Sequence, residues 1–247
     1  MSNALIDGGY KLTLTQLKMF LFLIAEVKRS EGRDVYKIFV SDLRDIKIYD
    51  NDGTPEFLSK SLYNTIYGTL QSLLNTRIIV TMERKGVLFT RDIILLTSFD
   101  YYTNAGYFYF TISKDMEKHI VDLEERFTVY DIRNVIMCRS VFSIRIYMIL
   151  KSFVKLKERE IHLDELREML GIEGKYRLYG DIKRYVLLRA QRELKKCSDM
   201  FFEFKEIRKG KRVYSIHFKI NKQKKIFSSK KTDVQTAIPY QEWCKIK

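Results

Sequence analysis

The sequence predicts an α+β protein in which one structural plan is built twice. Two segments about 123 residues apart resemble each other: "VSDLRDIKI" (Val40–Ile48) and "HLDELREMLGI" (His162–Ile172), with Leu43 matching Leu166 and Ile46 matching Met169. Each is preceded by a longer apolar-faced helix and followed by a turn and another long helix. Each copy then ends in two β-rich runs joined at a basic glycine turn, "ERKGV" around Gly86 and "IRKGKRV" around Gly210. Helix, helix-turn-helix and two-stranded hairpin is the order of a winged helix. Two copies make two tandem winged-helix domains with a pseudo-twofold internal repeat, expected at 1–125 and 126–222, with a basic tail at 223–247.

In the first copy, "LTQLKMFLFLIAEVKR" supplies the leading helix, and Val40–Ile48 the short one, whose acidic first turn suits the helix dipole. The long helix opens at "NDGTPEF", with Thr54 as N-cap and Pro55 at the first helical position. Leu58, Leu62, Ile66, Leu70 and Leu73 share one face, while the opposite side is mostly Ser, Thr, Asn and Tyr with Lys60. Lys60 and Lys85, the latter in the glycine turn, are this copy's candidate binding cations. "DIILLTSFDYY" and "GYFYFTI" read as strands, and "DMEKHIVDLEERFTVYD" as a charged helical join.

The second copy leads with "SVFSIRIYMILKSFVK". Its long helix is expected over Lys175–Lys196, with Tyr179, Ile182, Val186, Ala190 and Leu194 on one face. Tyr214, Ile216, Phe218 and Ile220 alternate with Ser215, His217 and Lys219, predicting a strand with the first set buried. Phe202 and Phe204 supply the matching face on the preceding strand, and Gly210 permits the positive φ of the turn.

Charge separates the halves. Residues 1–125 hold 15 Lys and Arg against 17 Asp and Glu; residues 126–247 hold 30 against 14, and the sum is the chain's +14. A half this basic seeks a polyanion, nucleic acid first and an acidic membrane surface second. No apolar run is long enough for a membrane span, and the polar start "MSNALIDGGYK" is not a signal peptide, so a soluble cytoplasmic protein is expected. Cys138, Cys197 and Cys244 form no CxxC and His119, His162 and His217 are dispersed, which argues against a disulfide framework and a metal site. No phosphate loop, His–hydrophobe–His pair or catalytic triad can be assembled. The expectation is a protein that is not an enzyme and uses no cofactor.

In a helix-turn-helix the second helix enters the major groove with its N-terminal residues at the base edges. In the Lys175–Lys196 helix, Arg177, Asp181, Arg184, Gln191 and Lys195 lie away from the apolar set, with Lys183 beside them. Arginine bridges guanine bidentately, while lysine and tyrosine mostly reach phosphates. Asp181 either accepts from a cytosine amine or orients a neighbouring arginine. The turn "RKGKR", Arg208–Arg212, would lie along the adjacent backbone.

Four blocks carry a resemblance: "SNALIDGGYKLTLTQLKMFLFLIAEV", "FTVYDIRNVIMCRSVFSIRIYMILKSF", "IHLDELREMLGIEGKYRLYGDIKRYVLLRAQREL" and "FFEFKEIRKGKRVYSIHFKI". Together, over about residues 2–220, they resemble the iteron-type plasmid replication initiators, the Rep_3 family. The resemblance implies monomers that bind directly repeated double-stranded origin sites, the iterons, and help open adjacent AT-rich DNA. It also implies homodimers in equilibrium with the monomer that repress their own promoter at an inverted repeat. Host initiator and replicative helicase are the implied partners. Carried over, Lys175, Tyr176, Arg177, Asp181, Lys183 and Arg184 would be recognition-helix contacts, and Arg208, Lys209, Lys211 and Arg212 wing contacts. Ser140, Ser143 and Arg145 would clamp the DNA backbone. A winged-helix transcriptional repressor without an initiator role is the alternative.

Overall fold

The structure is a computed structural model that describes residues 11–30, 32–43, 60–84, 86–102, 105–122 and 133–223. Helix α1 (Leu14–Arg29) begins at a reciprocal cap: the Thr13 hydroxyl accepts from the Gln16 amide, and the Gln16 side chain accepts from the Thr13 N–H at 2.8 Å. Its bounds are those of the expected helix. Leu17, Met19, Phe20, Leu23 and Val27 are buried, and so are Lys18 and Glu26, which places α1 inside the molecule.

Strand β1 (Tyr36–Phe39) leads into a 3₁₀ turn (Val40–Leu43). Helix α2 (Lys60–Leu74) buries Ile66, Leu70 and Leu73, as the leucine pattern predicts. The Thr54 cap, Pro55, Leu58 and most of the short helix Val40–Ile48 lie outside the described residues. Strands β2 (Arg77–Arg84) and β3 (Val87–Ile94) form the first hairpin, closed at Gly86 with φ +79°. Strands β4 (Ser98–Tyr102) and β5 (Tyr107–Thr111) pair with β1 in a separate antiparallel sheet, in the order β1-β5-β4. One face of that sheet buries Tyr36, Ile38, Phe108 and Phe110. The other carries Phe39, Tyr102, Tyr107 and Tyr109, with the Lys37 ammonium 4.0 Å from the Tyr107 ring centroid. Helix α3 (Lys114–Asp122) follows.

In the second half, α4 (Arg133–Ile136) and α5 (Val141–Lys151) precede β6 (Glu158–His162) and α6 (Leu163–Leu170). Three consecutive segments, Tyr179–Asp181, Ile182–Leu187 and Leu188–Cys197, make one continuous helix, α7, over 179–197. Strands β7 (Met200–Lys209) and β8 (Arg212–Lys222) form the second hairpin, and β6 pairs with β8 in the sheet β6-β8-β7. The sequence reading found the hairpin but not β6, because "EREIH" is short and mostly charged and only Ile161 in it is fully buried. The repeat thus includes a leading strand in each copy, but β1 pairs outside its hairpin and β6 pairs within it.

Tyr214 corrects the predicted alternation. It is 38 % exposed while its neighbour Ser215 is fully buried. The pairing register shifts between Ile207 and Arg208, so that Ile207 faces Ser215 while Arg208 faces Val213, and the bulge turns Tyr214 off the core face. Ile216, Phe218 and Ile220 point inward as expected, and Phe202 meets Phe218 edge-on at 5.5 Å.

Lys18 joins the halves. It is 2 % exposed on α1 and interacts electrostatically with Cys138, Glu193 and Cys197 of the second half. Burial pulls its pKa down from 10.5 to about 8 despite those partners. The unfolded chain therefore binds more protons between these values, and stability should rise with pH from about 8 to 10.5. Chemical denaturation across this range should show a smaller rise for Lys18→Met than for the parent.

Candidate nucleic-acid interface

The predicted cationic helix starts four residues late. Lys175, Tyr176 and Arg177 lie in the connection ahead of α7, whose first residue is Tyr179. The connection is shaped ahead of the helix: α6 ends at Gly171 with φ +64°, and Tyr176 itself takes a left-handed φ of +51°. Such a conformation is costly for a non-glycine residue and persists only where neighbours over-determine it. Arg167 does so, donating from its guanidinium to the carbonyls of Lys175, Tyr176 and Arg177 at 3.2, 2.9 and 3.2 Å. The Tyr176 ring is held between Tyr185, stacked at 6.1 Å, and Phe142, edge-on at 6.1 Å. Lys175 and Arg177 project into solvent from this braced loop.

Within α7, Ile182–Leu187 is a π-helical turn in which the Leu188 N–H donates to the Lys183 carbonyl. The apolar residues explain its place. Ile182, Val186, Ala190 and Leu194 recur every four positions, and at 3.6 residues per turn such a row drifts by roughly 40° per step. A widened turn takes up that drift, and all four are fully buried. Lys183, Arg184 and Tyr185 are exposed together on the opposite side. The Arg184 guanidinium lies 5.3 Å from the Tyr185 ring centroid, which limits its freedom before any ligand arrives. Asp181 is half-buried in the first turn.

Glu206 on β7 ties this face to the wing. Its carboxylate accepts from Lys183 of α7 at 2.8 Å and from Arg208 at 2.6 Å, with the side chain 16 % exposed. The two cations, Lys183 first, hold its pKa down to about 2 from an ordinary 4.5. Burial and the adjacent Glu206 push the Tyr179 phenol up. With the folded pKa of Glu206 depressed, this clamp stabilises fully above pH 4.5 and is lost as pH falls toward 2. Glu206→Gln should flatten that part of the acid-unfolding profile, as followed by circular dichroism.

Beyond Arg208, the residues Lys209, Lys211 and Arg212 surround Gly210, whose φ is +61°, and all are exposed. The Lys209 ammonium sits 3.3 Å from the Tyr214 ring centroid, and Tyr214 rests edge-on against His162 at 4.5 Å. The bulge that turns Tyr214 outward thus supplies a platform for the wing lysine.

Other expected contacts lie elsewhere. Ser143 is fully buried and Arg145 is 2 % exposed, with its guanidinium donating to the Met169 carbonyl, so neither reaches a DNA backbone. Both sit on α5, which is buried on nearly all sides between α6 and α7. Ser140 is also buried and caps α5 through its carbonyl, which accepts from the Ser143 and Ile144 amides. Gln191 donates to the Phe202 carbonyl at 3.0 Å, and Lys195 lies 5.8 Å from the Phe201 ring. The C-terminal half of α7 therefore packs along β7, and these two do not join the cationic face. Lys60 opens α2 but its side chain, like all of Lys85, lies outside the described residues. Arg167, Tyr185 and Glu206 were not among the expected site residues and Tyr214 was expected in the core, because their roles come from contacts that only the folded loop, helix and bulge create.

Among the described residues no helix is long and apolar enough to cross a membrane. The chain matches two models of the initiator replication proteins, the WH1 domain over residues 1–151 and the WH2 domain over residues 162–220. No curated protein sequence matches significantly. Among solved structures the fold resembles the Pi initiator protein, crystallised in complex with iteron DNA, with a TM-score of 0.67 at 20 % identity over 88 % of this chain and 93 % of that one. It also resembles domains 2 and 3 of RctB, with a TM-score of 0.53 at 11 % identity over 87 % of this chain and 84 % of that one. Two winged helices in sequence, each matched by its own domain model, place this chain in the initiator replication protein family.

Proposed function

We propose that this protein initiates plasmid replication in the bacterial cytoplasm by binding directly repeated origin sites in double-stranded DNA as a monomer. The observation that carries the proposal is the joined cationic face, in which α7 and the β7–β8 turn share Glu206 as their common counter-charge. Family membership and the fold shared with an initiator crystallised on iteron DNA support the choice of ligand. In this reading Arg184, Lys183 and Arg177 meet base edges, Lys175 and Tyr176 flank them, and Arg208, Lys209, Lys211 and Arg212 follow phosphates.

A duplex selected from a random library by the full chain gives the specific probe. Lys209→Ala and Lys211→Ala should weaken selected and random duplexes alike, and each should reduce the salt slope by about one, the share of a single neutralised phosphate. Gel-shift titrations at several salt concentrations read both quantities. A selective loss on the chosen duplex alone would remove the wing from the phosphate role.

Promoter repression by a homodimer on an inverted repeat, and contacts with host initiator and replicative helicase, belong to the same proposal. The β4 and β5 strands, with Tyr102, Tyr107 and Tyr109 outward, are the candidate dimer surface. Sedimentation over a wide concentration range should resolve two species, with direct-repeat DNA favouring the smaller. Selected sites in the form of palindromes only, with no binding to isolated direct repeats, would instead support a repressor without an initiator role.

A further inference from the structure

Cys138 and Cys197 lie 59 positions apart in sequence, yet their sulfurs are 3.4 Å apart. Neither belongs to the cationic face described above. Cys138 is fully buried just before α5, and Cys197 is half-buried at the C-terminal end of α7.

The approach is held from both sides. The Arg139 N–H donates to Glu193 at 3.1 Å, Arg189 donates to the same carboxylate at 3.2 Å, and Arg189 also donates to the Arg139 carbonyl at 3.1 Å. This closed set binds the residue after Cys138 to the helical turn that precedes Cys197. The Cys197 thiol also contacts the Glu193 carbonyl at 3.1 Å, which sets its rotamer. A third element, α1, brings the buried Lys18 ammonium close enough to act electrostatically on both thiols.

We propose that Cys138 and Cys197 form a reversible, peroxide-driven intramolecular disulfide that staples the chain just ahead of α5 to the far end of the DNA-facing helix α7. Cys197 is the attacking thiol and Cys138 the resolving one. Cys197 is the half-buried member of the pair and Cys138 the fully buried one, so a small peroxide reaches Cys197 first. Either thiol can donate across the 3.4 Å contact; when Cys138 donates, the Cys197 thiolate is favoured, and burial adds to the upward push on Cys138.

The Cys197 thiolate attacks one peroxide oxygen: an S–O bond forms, the O–O bond breaks, and hydroxide leaves to become water. The Cys138 sulfur then attacks the Cys197 sulfenic sulfur: an S–S bond forms, the S–O bond breaks, and a second water leaves with the Cys138 proton. Two thiols lose two electrons and one hydrogen peroxide gains them. In a reducing cytoplasm such a bond is transient, as suits a sensor rather than a framework.

The test uses the full chain carrying Cys244→Ser, so that only the pair remains. After hydrogen peroxide, free thiols are blocked with N-ethylmaleimide and the digest is mapped by mass spectrometry without reductant. The expected product is the Cys138–Cys197 linked peptide with neither cysteine alkylated, reversed by dithiothreitol, and a melting temperature raised by several degrees. Adding Cys138→Ser should leave a Cys197 sulfenic acid that dimedone traps, with no thermal shift. Sulfinic acid at Cys197 beside an alkylatable Cys138 in the parent would overturn the proposal. So would a disulfide found only between chains, or equal dimedone labelling with and without Cys138.

Discussion

Replacing Lys183 and Arg184 together with alanine should lower affinity for the selected duplex by about 2–4 kcal/mol, some 30- to 1,000-fold, while binding to random duplex falls far less. Both side chains leave the exposed face of the π-helical turn, and Arg184 is already ordered against Tyr185. Lys183 has a second consequence. Its removal leaves Glu206 with Arg208 as its remaining paired cation, and an under-neutralised carboxylate then faces the approaching phosphates. Lys183→Ala alone should therefore cost more than the DNA interaction it removes, and adding Glu206→Gln should recover part of the loss. A double-mutant cycle on the selected and random duplexes measures that coupling. If the double alanine variant discriminates the two duplexes as well as the parent does, α7 is not the reader.

Arg145→Ala should destabilise the protein by about 2–4 kcal/mol, because it opens a cavity in the core and removes the donor to the Met169 carbonyl. Denaturant midpoints measure the loss. The same variant separates burial from the backbone-clamp role expected from the family resemblance. With a buried guanidinium, DNA affinity per folded molecule should stay within about twofold of the parent, and the salt slope should not change. A slope reduced by one at intact stability would restore the clamp.

The elements legible in the sequence are those whose signals are local. The bounds of α1 follow from a Thr–Gln cap and an apolar run, and Gly86 and Gly210 mark turns that need a positive φ. The α7 apolar row was legible because buried side chains recur along one face. Its start was not: a loop held by three Arg167 hydrogen bonds carries no local signature, so the helix was expected from Lys175 rather than from Tyr179. The backbone clamp that the family resemblance implied for Ser140, Ser143 and Arg145 does not hold, because all three are buried and α5 is enclosed on nearly all sides, which the sequence "CRSVFSIRIY" does not display.

By itself the sequence determined the twofold plan, the charge asymmetry and the basic glycine turn, because repetition, net charge and turn chemistry are properties of the chain. Tertiary structure decided which cations share a face. The Glu206 clamp, the Tyr214 platform and the Cys138–Cys197 approach each join residues from separate elements. Such pairings depend on how helices and strands pack against one another, and spacing along a chain does not encode a distance across it.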